Sequence, residues 1–201
     1  MARNPANAVL RGVRQLAGAR SWPQRILAAV VLLLALAACL PQLQGPTEKG
    51  KLSRGMVLQG EVVGVADGDT VTLLGEGKVE YKLRLAYIDS PEKKQAFGMQ
   101  AKKSLSDRVY RAVVEARITD VDRYGRGVAE VRRDGRYINL EQVAEGYAWV
   151  YRQYAKKDLA AGEFREFTEA EDAAKAGGLG LWQDSDPTPP WQWRRDRRDE
   201  K

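Results

Sequence analysis

Five charged side chains in three short segments are the residues of this chain whose types and spacing suit chemistry. They are Asp69 in Asp67-Gly68-Asp69-Thr70; Arg84, Asp89 and Glu92 in Leu83-Arg84-Leu85-Ala86-Tyr87-Ile88-Asp89-Ser90-Pro91-Glu92; and Arg126 in Asp122-Arg123-Tyr124-Gly125-Arg126-Gly127. Asp69 and Asp89 supply hard anionic oxygens suited to Ca²⁺ or Mg²⁺. With the backbone carbonyl of Ser90 they make a partial shell that water and a phosphate complete. Arg84 and Arg126 are planar forks that hold two phosphoryl oxygens at once, where charge grows during displacement. Glu92 is the plausible general base, because the chain has no histidine to compete for that role. The chemistry these groups fit is metal-assisted attack of water on a phosphodiester. Each segment alone also fits a plainer role. Asp-Gly-Asp-Thr is a common turn, Arg84 suits an ion pair on an exposed face, and the third segment suits a loop whose glycines supply positive φ. The conjunction carries the reading.

Composition removes most rivals. With no histidine and one cysteine among 201 residues, there is no Ser-His-Asp or Cys-His machinery, no His- or Cys-based zinc site and no disulfide within the chain. The net charge of +6 is local in origin. Of 33 basic residues five lie in the first 38, leaving 28 against 27 acidic ones. The body is close to neutral, so bulk charge does not argue for a polyanion partner.

The first 40 residues read as a leader. Five arginines precede fifteen apolar residues at 26–40, the upper edge of a signal-peptide core and short of the roughly 20 residues that span a bilayer. Ala35-Leu36-Ala37 offers a cleavage pattern, Leu36-Ala37-Ala38-Cys39 resembles the bacterial lipoprotein box, and an uncleaved anchor is the third possibility. All three place the rest of the chain outside the cytoplasm, at the periplasmic or extracellular face. Residues 41–55 read as a linker, 56–183 as the folded domain and 184–201 as a Pro, Trp and Arg-rich tail.

Elements must then position the charged groups. Strands are expected at 56–65, 71–74, 79–88, 113–121 and 128–131, with an Asp-Gly hairpin turn at 67–68. Helices are expected at 98–114, at 139–145 with Asn139 as its cap, and at 163–176, and an extended tail from Trp182. Within 79–88, alternation puts Leu83, Leu85 and Tyr87 on one face and Arg84 and Ala86 on the other. Pro91 holds Ser90 extended. Strict alternation would aim Arg84 and Asp89 at opposite faces, so a shared site requires a bend or bulge between them. The expected fold is α+β and mainly β: a closed five-stranded oligonucleotide-binding (OB-fold) barrel with three peripheral helices, preceded by a hydrophobic leader helix.

The three charged segments, in this order and spacing, resemble the staphylococcal-nuclease-like (thermonuclease) family. The resemblance runs from about residue 60 to 182. It implies a Ca²⁺-dependent phosphodiesterase acting on DNA and RNA and leaving 3′-phosphate ends. In that likeness Asp69 and Asp89 fall on the calcium carboxylates and Ser90 on the carbonyl ligand. Arg84 and Arg126 fall on the phosphate-binding arginines, Glu92 on the base and Tyr124 on an aromatic near the nucleotide. Tyr151 and Tyr154 are candidates for substrate-facing tyrosines, and bases stack on such rings without sequence preference; Trp149 and Tyr151 equally suit a core. Ser90 replaces the familiar Thr, and the segment between Glu92 and the first helix is short. The expected partners are single-stranded DNA and RNA, and a membrane through the leader, with the folded part a monomer. The alternative is a non-catalytic nucleic-acid-binding module at the cell envelope, as in the Tudor-containing relatives that only bind. A weaker option is an envelope protein contacting other proteins through Trp191 and Trp193.

Overall fold

The computed structural model describes residues 50–200. The apolar run at 26–40, with the alternative fates of Cys39, lies outside the described residues, as does the linker as far as residue 49. Among the described residues no helix is long and apolar enough to cross a membrane.

Three strands form the expected meander: β1 (Val57–Val65), β2 (Thr70–Leu74) and β3 (Glu80–Leu85), each antiparallel to the next. Their inward residues Val62, Val71, Leu73, Leu83 and Leu85 are buried, each such side chain stabilising the fold by roughly 1.5–3 kcal/mol. After the meander comes helix α1 (Gly98–Val109), then β5 (Val113–Val121) against β1 and β6 (Gly127–Arg133) against β5. Strand β6 then runs parallel to β3, with Gly127 opposite Leu83, Val128 opposite Arg84 and Ala129 opposite Leu85. That pairing closes a five-stranded mixed barrel, which removes its edges. A short arm, β7 (Arg136–Tyr137), continues from β6.

Several expectations need correction. The strand expected at 79–88 is broken: β3 ends at Leu85, a turn follows through Ala86 and Tyr87, and β4 (Ile88–Asp89) pairs with a two-residue strand β8 (Trp149–Val150) instead of the barrel. Tyr87 takes φ 67 to make the turn, a conformation uncommon for an aromatic residue. Its carbonyl accepts the Tyr151 N–H, and its ring packs edge-on against Phe167. This is the bend that Arg84 and Asp89 required.

Asn139 is no cap. Tyr137 stands at the N-cap of α2 (Ile138–Ala144) without a side-chain bond, and Asn139 is fully buried inside the helix. Its amide donates to the carbonyls of Ala86 and Ala129 and accepts the Val131 N–H. The barrel closure and the Ala86–Tyr87 turn therefore share one bolt. A buried amide with these partners satisfies backbone groups that the strand break would otherwise strand.

Among the described residues the three expected helices are five. Besides α1, which ends at Val109, and α2, the chain forms α3 (Arg152–Asp158), α4 (Ala161–Ala176) and α5 (Pro190–Asp199). The tail that its prolines marked as extended is thus helical beyond Pro189. Pro190 at its first turn lacks only an N–H that would have no intrahelical partner.

Candidate active site

The β2–β3 register fixes the first two groups of the site. Thr70 stands opposite Arg84, so Asp69 lies one step further along, and the Leu85 N–H donates to its carbonyl at 2.7 Å. The turn before it is tight for a reason: a Cβ on Gly68 would lie 2.7 Å from Cβ of Ser90 and of Ala101. Gln142 donates to the Gly68 carbonyl and Ser104 to the Gln142 side-chain oxygen, both buried. Strand β8 fixes the third group, pairing Trp149 with Asp89.

Asp69 and Asp89 converge on one nitrogen. Arg84 Nη2 lies 2.5 Å from Asp89 Oδ1 and 3.1 Å from Asp69 Oδ2. Asp69 also accepts the Ser90 N–H at 3.2 Å and the Thr70 hydroxyl at 2.9 Å. Both carboxylates are buried. Burial pushes each above the ordinary aspartate range; Arg84 offsets this only in part for Asp69, as do Arg194 and Arg84 for Asp89.

Glu92 lies just beyond, on a loop built for it. Its N–H donates to Gln95 Oε1, and its carbonyl accepts the Gln95 N–H. A Cβ on Gly98 would meet that carbonyl at 1.9 Å, so only glycine lets α1 start so close to the loop.

One residue of the cluster escaped sequence reasoning. Arg194, on α5, donates to Asp89 Oδ2 at 2.7 Å and Oδ1 at 3.2 Å, and to Glu92 Oε1 at 2.7 Å. The helix carrying it is stapled down. Gln95 Nε2 donates to the Thr188 carbonyl, Trp191 stacks on Tyr151 at 6.1 Å with rings 8° from parallel, and Trp191 meets Trp149 edge-on. The signal available in sequence was the i, i+3, i+4 spacing of arginines after Pro190, which an extended reading of the tail hides.

Arg126 is held apart from this cluster. It forms a two-pronged pair with Asp122 at 2.7 Å through both Nε and Nη2, while Asp122 Oδ1 accepts the N–H groups of Tyr124 and Arg126. Burial alone would raise Asp122, but the Arg126 guanidinium and these amides hold it below the usual carboxylate range. Because Gly127, the first residue of β6, is in register with Leu83, the Arg126 backbone leads into β6 beside the strand that carries Arg84. Tyr124 is 69% exposed, with Arg123 at 4.9 Å and Arg126 at 5.5 Å from its ring centre. Tyr154 is exposed, and Tyr151 sits between Tyr154 and Trp191. Trp149 belongs to the core, against Trp182.

The structure thus brings Asp69, Arg84, Asp89, Ser90, Glu92 and Arg194 together at one end of a closed barrel, with Arg126 and Tyr124 on the neighbouring loop. Residues 82–184 match the model of the family described as staphylococcal nuclease homologue. The chain belongs to that family and is a nuclease, a hydrolase of phosphodiester bonds. An "Uncharacterized endonuclease" of Haemophilus influenzae is 44% identical over 137 residues, covering 68% of this chain and 73% of the relative. A "Micrococcal nuclease" of Shigella flexneri is 40% identical over 146 residues, covering 68% of this chain and 80% of its own. An "Uncharacterized endonuclease" of Escherichia coli O157:H7 is 36% identical, covering 68% of this chain and 85% of the relative.

Proposed function

We propose that this nuclease is calcium-dependent and hydrolyses single-stranded DNA and RNA with little sequence preference, using Glu92 as base and Arg84 and Arg126 to hold the phosphoryl group. The observation that carries this is the buried pair Asp69 and Asp89 on a single arginine nitrogen. Two buried acids need positive charge, and their donor set is oxygen only, which suits a hard cation. Among the described residues no three Asp, Glu, His or Cys side chains converge as a metal site. Asp69 and Asp89, with the Ser90 carbonyl that the family likeness implies, would hold the ion, leaving its other positions to water and substrate. Bound there, calcium supplies charge that polarises the phosphoryl group and orients water.

The chain's own groups do the rest. Glu92, on a glycine-tight loop, takes the proton from the attacking water. Arg84 presents its guanidinium to a phosphate oxygen from the fixed end of β3. Arg126, pre-aligned by Asp122, offers a fork for a second oxygen as charge develops. Tyr124, Tyr151 and Tyr154 offer ring faces to bases. Export by the leader, with the enzyme at the outer face of the membrane, explains how the cell avoids digesting its own nucleic acid. The deciding experiment incubates the purified chain with single-stranded DNA and RNA with calcium and with a chelator. Cleavage confined to the calcium arm is expected; equal cleavage in both arms removes the cation, and binding without cleavage in either removes catalysis.

A further inference from the structure

Helix α5 does more than cover the site. Its arginines Arg194, Arg197 and Arg198 are spaced i, i+3, i+4 and share one face, whereas Asp196, Asp199 and Glu200 fall on the opposite one. The basic face borders the loop after Glu92. Between them lies an open cleft of ≈ 410 Å³, with Lys93 and Lys94 on one wall, Trp193, Arg197 and Arg198 on the other, and Glu92 and Arg194 also lining it. Lys93, Lys94, Arg197 and Arg198 are exposed, and among the described residues none of the four is in an ion pair. Trp193 is half-buried, with the Arg197 guanidinium 5.7 Å from its ring centre.

A solvated basic face is the ordinary fate of such residues, yet three features point to an occupant. The cations are unneutralised although two acids, Asp196 and Asp199, sit on the same helix. They line a concave surface with an aromatic ring. Glu92 and Arg194 line the cleft, and Arg194 donates to both Glu92 and the buried Asp89. A row of unpaired cations beside a ring is what a single nucleic-acid strand asks for, charge along its backbone and a face for a base.

We infer that this cleft is a strand-binding subsite, in which Lys93, Lys94, Arg197 and Arg198 bind the phosphates flanking the scissile one and Trp193 stacks a neighbouring base. This rests on the nuclease reading and adds to it a path for the polymer beyond the reacting phosphate. Substrates several nucleotides long gain affinity here that a dinucleotide lacks.

The test measures binding of the full chain to a labelled single-stranded oligonucleotide in chelator, by fluorescence anisotropy at several salt concentrations between about 50 and 200 mM. Each phosphate neutralised on a single strand contributes about 0.7 to the slope of log affinity against log salt. The variant Lys93→Gln/Lys94→Gln/Arg197→Gln/Arg198→Gln is expected to lower that slope by about 2 to 3 and weaken binding at least about tenfold at low salt. Arg197→Lys/Arg198→Lys, which keeps the charges, is expected to hold the slope. Lys78→Gln, on the turn at the far end of the β2–β3 hairpin, is expected to change neither. If the fourfold variant fails to fold, Lys93→Gln/Lys94→Gln alone is expected to remove about half as much. A wild-type chain that cleaves, with variants that keep its affinity and slope, overturns the subsite and leaves the nuclease standing. Loss of binding to phosphatidylglycerol vesicles without loss of oligonucleotide binding assigns the helix to a membrane surface and also overturns it. A wild-type chain that neither binds nor cleaves overturns both.

Discussion

Glu171 and Asp89 are both buried carboxylates with basic partners, and they are otherwise opposites. Glu171, on α4, accepts the Val150 N–H at 2.8 Å on one oxygen, and Arg152 at 2.7 Å and Lys175 at 2.8 Å on the other. One acid thus has two cations and a backbone donor, one cation from its own helix one turn on. Its charge is fully matched, and it ties β8 to α4. Asp89 shares Arg84 with Asp69 and shares Arg194 with Glu92. There, three acids stand against two guanidiniums. A matched buried carboxylate builds structure; a cluster left with excess negative charge has capacity to hold something more.

The sharpest way to break this contrast is Glu92→Gln. Turnover is expected to fall about 10²–10⁴-fold, the usual weight of a general base, with the thermal midpoint nearly unchanged because the Glu92–Arg194 pair is partly exposed. Wild-type turnover removes Glu92 from the mechanism. Glu171→Ala is expected to do the reverse. It strands the Val150 N–H and should cost about 2 kcal/mol in urea unfolding, with kcat per folded molecule retained. A loss of kcat without loss of stability would erase the distinction.

The next effect is smaller. Arg194→Gln removes one of the two guanidiniums that compensate Asp89, and calcium titration by calorimetry should show affinity rising about tenfold. Unchanged affinity would mean that Arg194 does not compete with the cation. The smallest effect lies on the Arg126 loop. Asp122 is depressed in the folded state, so its contribution to stability is present above about pH 4, near the unfolded aspartate value. That contribution is lost as pH falls further, through the depressed folded value. The Tyr124 ring signals in an NMR titration should therefore hold until below the ordinary aspartate range. A shift complete by pH 5 would show that Arg126 does not hold Asp122 ionised.

The sequence showed most of the barrel because alternating Val and Leu segments punctuated by Asp-Gly turns obey local rules. It also showed that Arg84 and Asp89 required a bend. It did not show what makes the bend. Tyr87 in a left-handed conformation is held by contacts with Phe167, Tyr151 and, through Ala86, Asn139, all distant in the chain. Asn139 looked like a cap because Asn before an apolar run usually is one; burial against the carbonyls of Ala86 and Ala129 and the Val131 N–H overrode that preference. Asp69, Asp89, Ser90 and Glu92 were legible because a turn and a strand end are local features. Arg194 was not, since only tertiary packing of Trp191 on Tyr151 and Trp149 brings α5 to the carboxylates.

That packing has a consequence for biosynthesis. Arg194 follows Asp89 by 105 residues, which at about 5–20 residues per second takes a ribosome roughly 5–20 s. During that interval a nascent chain has Arg84 but not yet Arg194 available to neutralise Asp89, so the carboxylate cluster acquires its second counter-charge only once α5 has been made.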